Sequence, residues 1–369
     1  MTKTSSGEKA IIVTYPDEFA KKEIIDLAKA AGYVVDAVMT QKQVIKSEYG
    51  VGVGKAQELE QMVIENGSKA IIVDETLTSS QANKLGATTK VEIVDRERLI
   101  LNIFARRAIT TEAKLQVQLA ELRYMMPRAR DMVRNSTRGE QAGFMGMGEY
   151  AVDVKFRDLK RQMGFVKEKL ERSRTARVLH TTERRKLGLP FVSLAGYTSS
   201  GKTTLFNRLA SESKEESPKL FTTLATTTRA ITFPNSDRRI MLSDTVGFIS
   251  RLPTYLVESF KSTLDELTYA DLVLLMVDVS EPIDSVDLKL NSCRQTLAEL
   301  GVDPLKVLLI LNKVDLLPDH GSNKIELDPL FKDFQTVKIS ATRGDGLRQL
   351  RNKILDMTRP PSRKRLPAA

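Results

Sequence analysis

Cysteine and histidine are nearly absent from this chain. The one cysteine, Cys293, excludes a disulfide framework and a multi-cysteine zinc site, and reads as a structural thiol on a helix. The two histidines, His180 and His320, stand too far apart to build a histidine metal cluster. No apolar run reaches the length of a membrane span, and the start, Met1-Thr-Lys-Thr-Ser-Ser-Gly-Glu, lacks the apolar core of a signal peptide. These absences predict a soluble, cytoplasmic protein of a reducing compartment. Negative charge is also the scarcer sign: 57 Lys and Arg face 47 Asp and Glu, a net charge of +10 that favours a polyanionic partner. A hydrophobic fraction of 41% over 369 residues is enough for two or three ordinary globular cores.

What is present is a set of nucleotide motifs in order. Gly196, Tyr197, Thr198, Ser199, Ser200, Gly201, Lys202 and Thr203 spell G-x-x-x-x-G-K-[ST], after the apolar run 190–195 and before a helical run that begins at Thr204. Strand, glycine loop, helix is the context of a phosphate-binding loop. The glycines let successive N–H groups turn inward, and the helix start adds partial positive charge. Lys202 is expected at the β- and γ-phosphates, and the Thr203 hydroxyl on Mg²⁺. The strand-like run 240–244 ends in Asp244, Thr245, Val246, Gly247, a D-x-x-G that places Asp244 on Mg²⁺ through water and the Gly247 N–H on the γ-phosphate. The apolar run from Val307 ends in Asn312, Lys313, Val314, Asp315. The Asp315 carboxylate can accept from guanine N1 and N2, a donor pair adenine lacks, and a site left unpaired rejects its ligand. Residues 337–341 read as a further strand that ends in Ser340 and Ala341, suited to a backbone contact with the guanine oxygen. GTP and GDP are therefore the expected ligands. The first switch belongs in 221–229, where five threonines compete for the Mg²⁺ position.

Upstream, apolar runs at 10–14, 33–39, 70–73 and 91–94 alternate with helical stretches at 17–31, 55–66 and 78–86, a parallel α/β unit. The glycines of 49–55 lack the full phosphate-loop pattern and read as a turn into the second helix. Two heptad seams follow: Leu115, Leu119, Leu122, Met126, then Phe156, Leu159, Met163, Val166, Leu170. Pro127 is expected to kink or stop the first helix. Residues 134–149 carry four glycines and are expected to be non-helical, forming the tip of an antiparallel helical hairpin that exposes Phe144, Met145 and Met147. Residues 151–190 hold 12 Lys and Arg against 5 Asp and Glu, and Lys160, Arg161, Lys167 and Arg172 are candidate RNA contacts. The tail 359–369 is basic, proline-rich and expected to be disordered.

The phosphate-loop residues, Phe221-Thr-Thr-Leu224, Asp244-Thr-Val-Gly-Phe248, the run Leu99–Ala108, Glu112–Leu122 and Pro127-Arg128 together resemble the HflX branch of the Obg-like GTPases. The resemblance covers residues 10 to 358. It implies a first switch of Phe221, Thr222, Thr223 and Leu224, with Thr223 on Mg²⁺. It also implies a factor that binds the large ribosomal subunit and its RNA and helps split ribosomes. Two positions depart from the family: Ser199 stands where relatives keep an asparagine that helps hold a monovalent cation. The tip loop, Gly143-Phe-Met-Gly-Met-Gly-Glu149, lacks the arginine and proline of the bacterial loop and looks archaeal in type.

Phe248 follows the D-x-x-G where many GTPases keep a glutamine that orients water. Intrinsic hydrolysis should then be slow, on the order of 10⁻⁴ to 10⁻³ s⁻¹. The expected architecture is a parallel-sheet α/β domain over 1–109, a hairpin over 110–187, a P-loop GTPase domain of mostly parallel sheet with helices on both faces over 188–358, and a tail, in a monomer. The rival expectation is an RNA-remodelling or regulatory GTPase that acts as a nucleotide-dependent switch away from ribosomes.

Overall fold

The computed structural model describes residues 7–42, 48–136, 147–186, 189–210, 221, 226–233, 236–317 and 329–358. Two compact units result, Met1–Arg174 with Pro253–Phe260, and Thr175–Leu252 with Lys261–Ala369.

Unit 1 is built on four parallel strands, β1 (Lys9–Thr14), β2 (Val34–Thr40), β3 (Ala70–Val73) and β4 (Glu92–Asp95), in the order β2-β1-β3-β4. All four β3 residues are buried, as a two-sided parallel sheet requires. One face is covered by α2 (Val53–Asn66) and α3 (Ser79–Thr89), whose Leu59, Val63 and Leu85 pack on Ile11, Val13, Ile71 and Val73. The helices α1 (Glu18–Ala31) and α4 (Arg96–Arg107) pack on each other. Local chemistry sets the ends. Asp17 caps α1 through the Ala20 N–H, and Thr78 and Gln81 form a reciprocal capping box on α3.

The helices α5 (Thr111–Ser136) and α6 (Met147–Lys186) follow. Pro127 does not stop α5: the helix runs nine residues past it. A helix-interior proline costs about 3 kcal/mol. Leu119, Leu122 and Ala129, with Leu115 and Met126, pack on Leu159, Val166 and Leu170, which offsets that cost. The tip stretch is also shorter than the glycines predict, because α5 takes in Arg134–Ser136 and α6 begins at Met147 with Gly148 in its first turn. A glycine there costs about 1 kcal/mol, which a helix of 40 residues absorbs. Phe144 and Met145 lie outside the described residues.

Among the described residues unit 2 has six strands: β5 (Phe191–Gly196), β6 (Thr227–Phe233), β7 (Ser236–Asp244), β8 (Leu272–Asp278), β9 (Val307–Asn312) and β10 (Gln335–Lys338). Their order is β10-β9-β8-β5-β7-β6, parallel except for the β6–β7 pair. The described helices include α7 (Lys202–Ala210), α9 (Lys261–Thr268), α10 (Ile283–Glu299) and α11 (Leu347–Met357). Leu205 and Phe206 of α7 and Leu350 and Ile354 of α11 share a core with Val192, Leu242, Leu274 and Ile310. The last strand is shorter than expected. It ends at Lys338, so Ile339–Ala341 enter a turn in which Ser340 N–H bonds Asp345 O at 3.1 Å.

Between Leu252 and Lys261 the chain crosses into unit 1 as α8 (Thr254–Ser259). Arg123 of α5 donates to Tyr255 O (2.9 Å) and Ser259 Oγ (3.2 Å), and pairs with Glu258 at 3.0 Å. The Tyr255 hydroxyl donates to Glu97 at 2.9 Å, and the Phe260 ring meets Phe104 edge-on at 4.8 Å.

A charged cluster lies inside unit 1. Arg96 is buried between Asp74 and Glu23, at 2.6 Å to each, and the Thr14 hydroxyl completes Asp74 at 2.6 Å. Removing one member of such a set leaves an uncompensated buried charge. Arg96→Leu strands two carboxylates, so a loss of about 3–5 kcal/mol in unfolding free energy is expected. Urea titration of the full chain checks this; a loss below 1 kcal/mol would contradict it.

Candidate functional site

The nucleotide motifs stand at or just past the carboxyl ends of β5, β7, β9 and β10, where open α/β sheets place their ligands. The phosphate loop needs its two glycines. Gly196 (φ 141°) and Gly201 (φ 97°) sit in backbone regions side chains rarely adopt; an added Cβ would lie 2.4 Å from Met276 O and 2.3 Å from Asn312 Nδ2 respectively. Ser199 is held at φ 61°, a left-handed turn inside the loop. Lys202 opens α7, is buried, and donates to Gly196 O (3.0 Å) and Tyr197 O (2.7 Å). Burial pushes its pKa down to about 8, and the nearby Asp244 carboxylate opposes that shift. Thr204 follows in the first turn of α7.

The second switch lies against this loop. Thr203 Oγ1 donates to Asp244 Oδ2 at 3.0 Å, so the two expected metal ligands are neighbours. A hydroxyl beside a carboxylate is a hard-oxygen donor set of the kind Mg²⁺ takes with waters. Thr245 Oγ1 anchors to Leu194 O at 2.6 Å. Gly247 packs so closely that an added Cβ would lie 2.9 Å from Thr198 Cγ2 and 3.1 Å from Lys202 Nζ. Phe248 is buried, its N–H donating to Gly196 O (3.0 Å) and its carbonyl accepting from Thr198 N–H (2.8 Å) in a parallel bridge. The Ser250 N–H donates to the Tyr197 hydroxyl at 2.6 Å. Val246 is buried beside these residues in sequence.

Asn312 joins the phosphate and base regions. Its Nδ2 donates to Ser200 O (2.8 Å) and its Oδ1 accepts from Ala341 N–H (3.0 Å). Lys313 turns at φ 66° and pairs with Asp278 at 2.5 Å. Asp315 lies in the short 3-10 turn that follows, 3.8 Å from the Arg343 guanidinium. The Ser340 hydroxyl accepts from Arg343 N–H at 3.0 Å. Asn312, Lys313, Asp315, Ser340 and Ala341 thus border one region. Phe221 is buried at φ 55°, while Thr222, Thr223 and Leu224 lie outside the described residues. Lys160, Arg161, Lys167 and Arg172 are exposed on α6, away from the nucleotide motifs in sequence.

Sequence spacing gives no sign of one participant, Glu266 of α9. It accepts from Thr226 Oγ1 at 2.8 Å and from Ser243 Oγ, tying the residue before β6 to the one before Asp244. Nor does it reveal the Tyr197–Ser250 bond, since both partners are unremarkable alone. Cys293 is buried on α10, and desolvation pushes its thiol up to about 12, which makes it inert.

A glycine loop opening a helix, a D-x-x-G beside it and an N-K-x-D strand end on a mostly parallel sheet define a P-loop GTPase, which hydrolyses GTP. Comparisons with known proteins narrow the class. The sequence matches the families described as "GTP-binding GTPase N-terminal" over 19–105, "GTP-binding GTPase Middle Region" over 107–184 and "50S ribosome-binding GTPase" over 191–313. It is 40% identical to a GTPase HflX of Thermococcus kodakarensis, over 84% of this chain and 69% of that one. With the GTPase HflX of Hyperthermus butylicus the identity is 34%, over 94% and 95% of the two chains. A solved GTP-binding protein of Sulfolobus solfataricus in complex with GDP superposes with a TM-score of 0.51 at 26% identity, covering 95% of this chain and 98% of that one. The chain belongs to the HflX family of GTPases. Among the described residues, no helix is long and apolar enough to cross a membrane.

The depressed Lys202 pKa carries a consequence for binding. Bound phosphates favour the ammonium, so binding raises this pKa and takes up a proton once the free side chain is neutral. Affinity for GDP should be level below pH 8 and fall as pH rises through it, by at most about tenfold per pH unit. Calorimetry at pH 8.5 in buffers of different ionisation enthalpy should register the proton uptake. The Lys202→Arg variant, protonated throughout, should register none.

Proposed function

We propose that this GTPase is a factor of the large ribosomal subunit that uses GTP to promote the splitting or recycling of ribosomes. The observation that carries this reading is the exposed basic face of α6, with Lys160, Arg161, Lys167 and Arg172, in a chain that also holds a complete set of guanine-nucleotide motifs. The match over 191–313 to a family of 50S ribosome-binding GTPases supports a ribosomal partner. In this reading the functional parts are an α/β domain (1–109), an RNA-contacting hairpin (110–187) and a GTPase domain (188–358) whose segment Pro253–Phe260 packs within unit 1, and the protein acts as a cytoplasmic monomer. Thr203, Thr223 and Asp244 would hold Mg²⁺, which when bound would neutralise charge that develops on the phosphates. Lys202 and the loop N–H groups hold the phosphates, with Gly247 on the γ-phosphate, and Asp315 reads the guanine edge. Phe248 brings no group able to orient water, so the ribosome has to complete the site or order the switches.

The base assignment is tested by Asp315→Asn, which removes two charge-assisted hydrogen bonds. GTP affinity should weaken by roughly 3 kcal/mol or more, at about 1.5–3 kcal/mol per bond to a charged group. Xanthosine nucleotides should gain in competition; an unchanged guanine preference contradicts the assignment. The ribosomal assignment is tested by sedimentation through sucrose gradients with a non-hydrolysable GTP analogue. Wild type should travel with large subunits. Reversal of Lys160, Arg161, Lys167 and Arg172 to glutamate should abolish this and flatten its salt dependence while GTP binding is unchanged. Wild type that never sediments with ribosomes, yet binds free RNA or a signalling partner, would favour a nucleotide switch acting elsewhere.

A further inference from the structure

Among the described residues, the basic face of α6 carries one aromatic ring that neither charge nor packing explains. Phe165 is 58% exposed. At 100° per residue it stands about 100–140° round the helix from Leu159, Val166 and Leu170, the buried seam, and it takes no part in that cluster. The neighbouring Gly164 leaves open ground beside it: a Cβ added there would meet nothing within 4 Å. Arg161, Lys169 and Arg172 fall within about 40° of the ring on the same helical face. The Lys169 ammonium lies over the ring at 4.2 Å from its centroid.

Among the described side chains, the carboxylates of this face are Asp158, which pairs with Arg161 at 2.8 Å, and Glu168, which pairs with Arg172 at 2.6 Å. Arg161, Arg172 and Glu168 are largely in water, and Asp158, which also accepts from Gln162 at 2.7 Å, is half-exposed; such pairs contribute little and exchange readily for phosphate. An exposed aromatic ring among guanidinium and ammonium groups is the arrangement by which proteins take unpaired nucleotides, the ring stacking on the base and the cations following the backbone. A protein-binding hot spot would need a cluster of apolar anchors; besides Phe165, the described part of this face exposes Val154, which stands about 16 Å away along the helix, too far to share a pocket with the ring.

We propose that Phe165 is a stacking platform for one unpaired nucleobase of RNA, with Arg161, Lys169 and Arg172 on the flanking phosphates. The proposal rests on the reading of α6 as an RNA-contacting helix and names the element of RNA it takes. Duplex RNA, whose bases are already stacked, cannot use the ring.

The chain contains no tryptophan, so Phe165→Trp installs a single fluorescent reporter in the full-length protein. The probes are an unstructured 12-nucleotide RNA and a duplex of the same length. The introduced indole should be quenched by the single strand and not by the duplex. Phe165→Ala should weaken single-strand binding between roughly five- and a hundredfold. The slope of log Kd against log salt should not change, because no charge is removed. Phe165→Tyr should bind as wild type does. Thermal melting of each variant checks that the exposed position leaves the fold intact. If wild type binds neither RNA, the RNA-contacting reading of α6 fails and this proposal with it. If wild type binds the single strand but the alanine variant binds it equally, or the indole signal does not move, stacking alone is overturned. Quenching by ribosomal proteins freed of RNA, with none by RNA, would assign the ring to a protein partner and overturn the proposal as well.

Discussion

The side-chain amide of Asn312 is the constraint on which the nucleotide site depends. A donor and an acceptor on one rigid plane hold the carbonyl of Ser200 and the N–H of Ala341. Both bonds are buried, so each replaces a desolvation penalty of about 1–3 kcal/mol that an unpaired group would incur. Phosphate loop and base-reading turn are therefore set at a fixed separation before any ligand arrives. The close approach of the amide to Gly201 leaves room for glycine alone at that point. In the proposed reading a guanine nucleotide would span the two regions, and prior fixing of their spacing would lower the ordering cost of binding.

Much of this was legible in the sequence because phosphate and guanine recognition each need particular residue types at fixed spacings. Gly196, Gly201, Lys202, Thr203, Asp244, Asn312 and Asp315 are such positions, and each sits where a strand meets a loop. The strands were legible for a similar reason: two-sided burial writes them as short continuous apolar runs, as in 70–73 and 307–311. Helix ends were harder. Pro127 carries a local signal to stop, and tertiary packing of Leu122 and Ala129 overrides it. Glu266 was not legible at all, since its partners Thr226 and Ser243 come into reach only through the antiparallel β6–β7 pair.

Phe248 serves structure rather than water positioning. A side chain unable to bond water is buried, and its backbone extends the sheet-like contact between the second switch and the phosphate loop. Tyr197, second residue of that loop, adds its hydroxyl to the same seam. The switch is thus held by main-chain bonds and packing, which do not depend on any catalytic group.

The excursion of the chain into unit 1 at Pro253–Phe260 bears on synthesis and on dissection alike. Unit 1 is discontinuous: its last piece is made only after β5, α7 and β7 of unit 2. During synthesis the sheet core and the helix seam can form first, but α8 cannot dock until residue 260 has emerged, so unit 1 is completed only after part of unit 2 has been made. A cut near residue 187 divides neither part cleanly. The amino-terminal fragment keeps Arg123, Glu97 and Phe104 but loses the helix they hold. The carboxy-terminal fragment carries Leu256, Val257 and Phe260 with no surface to bury them. Recombination that swaps one half at a single crossover would inherit the same mismatch.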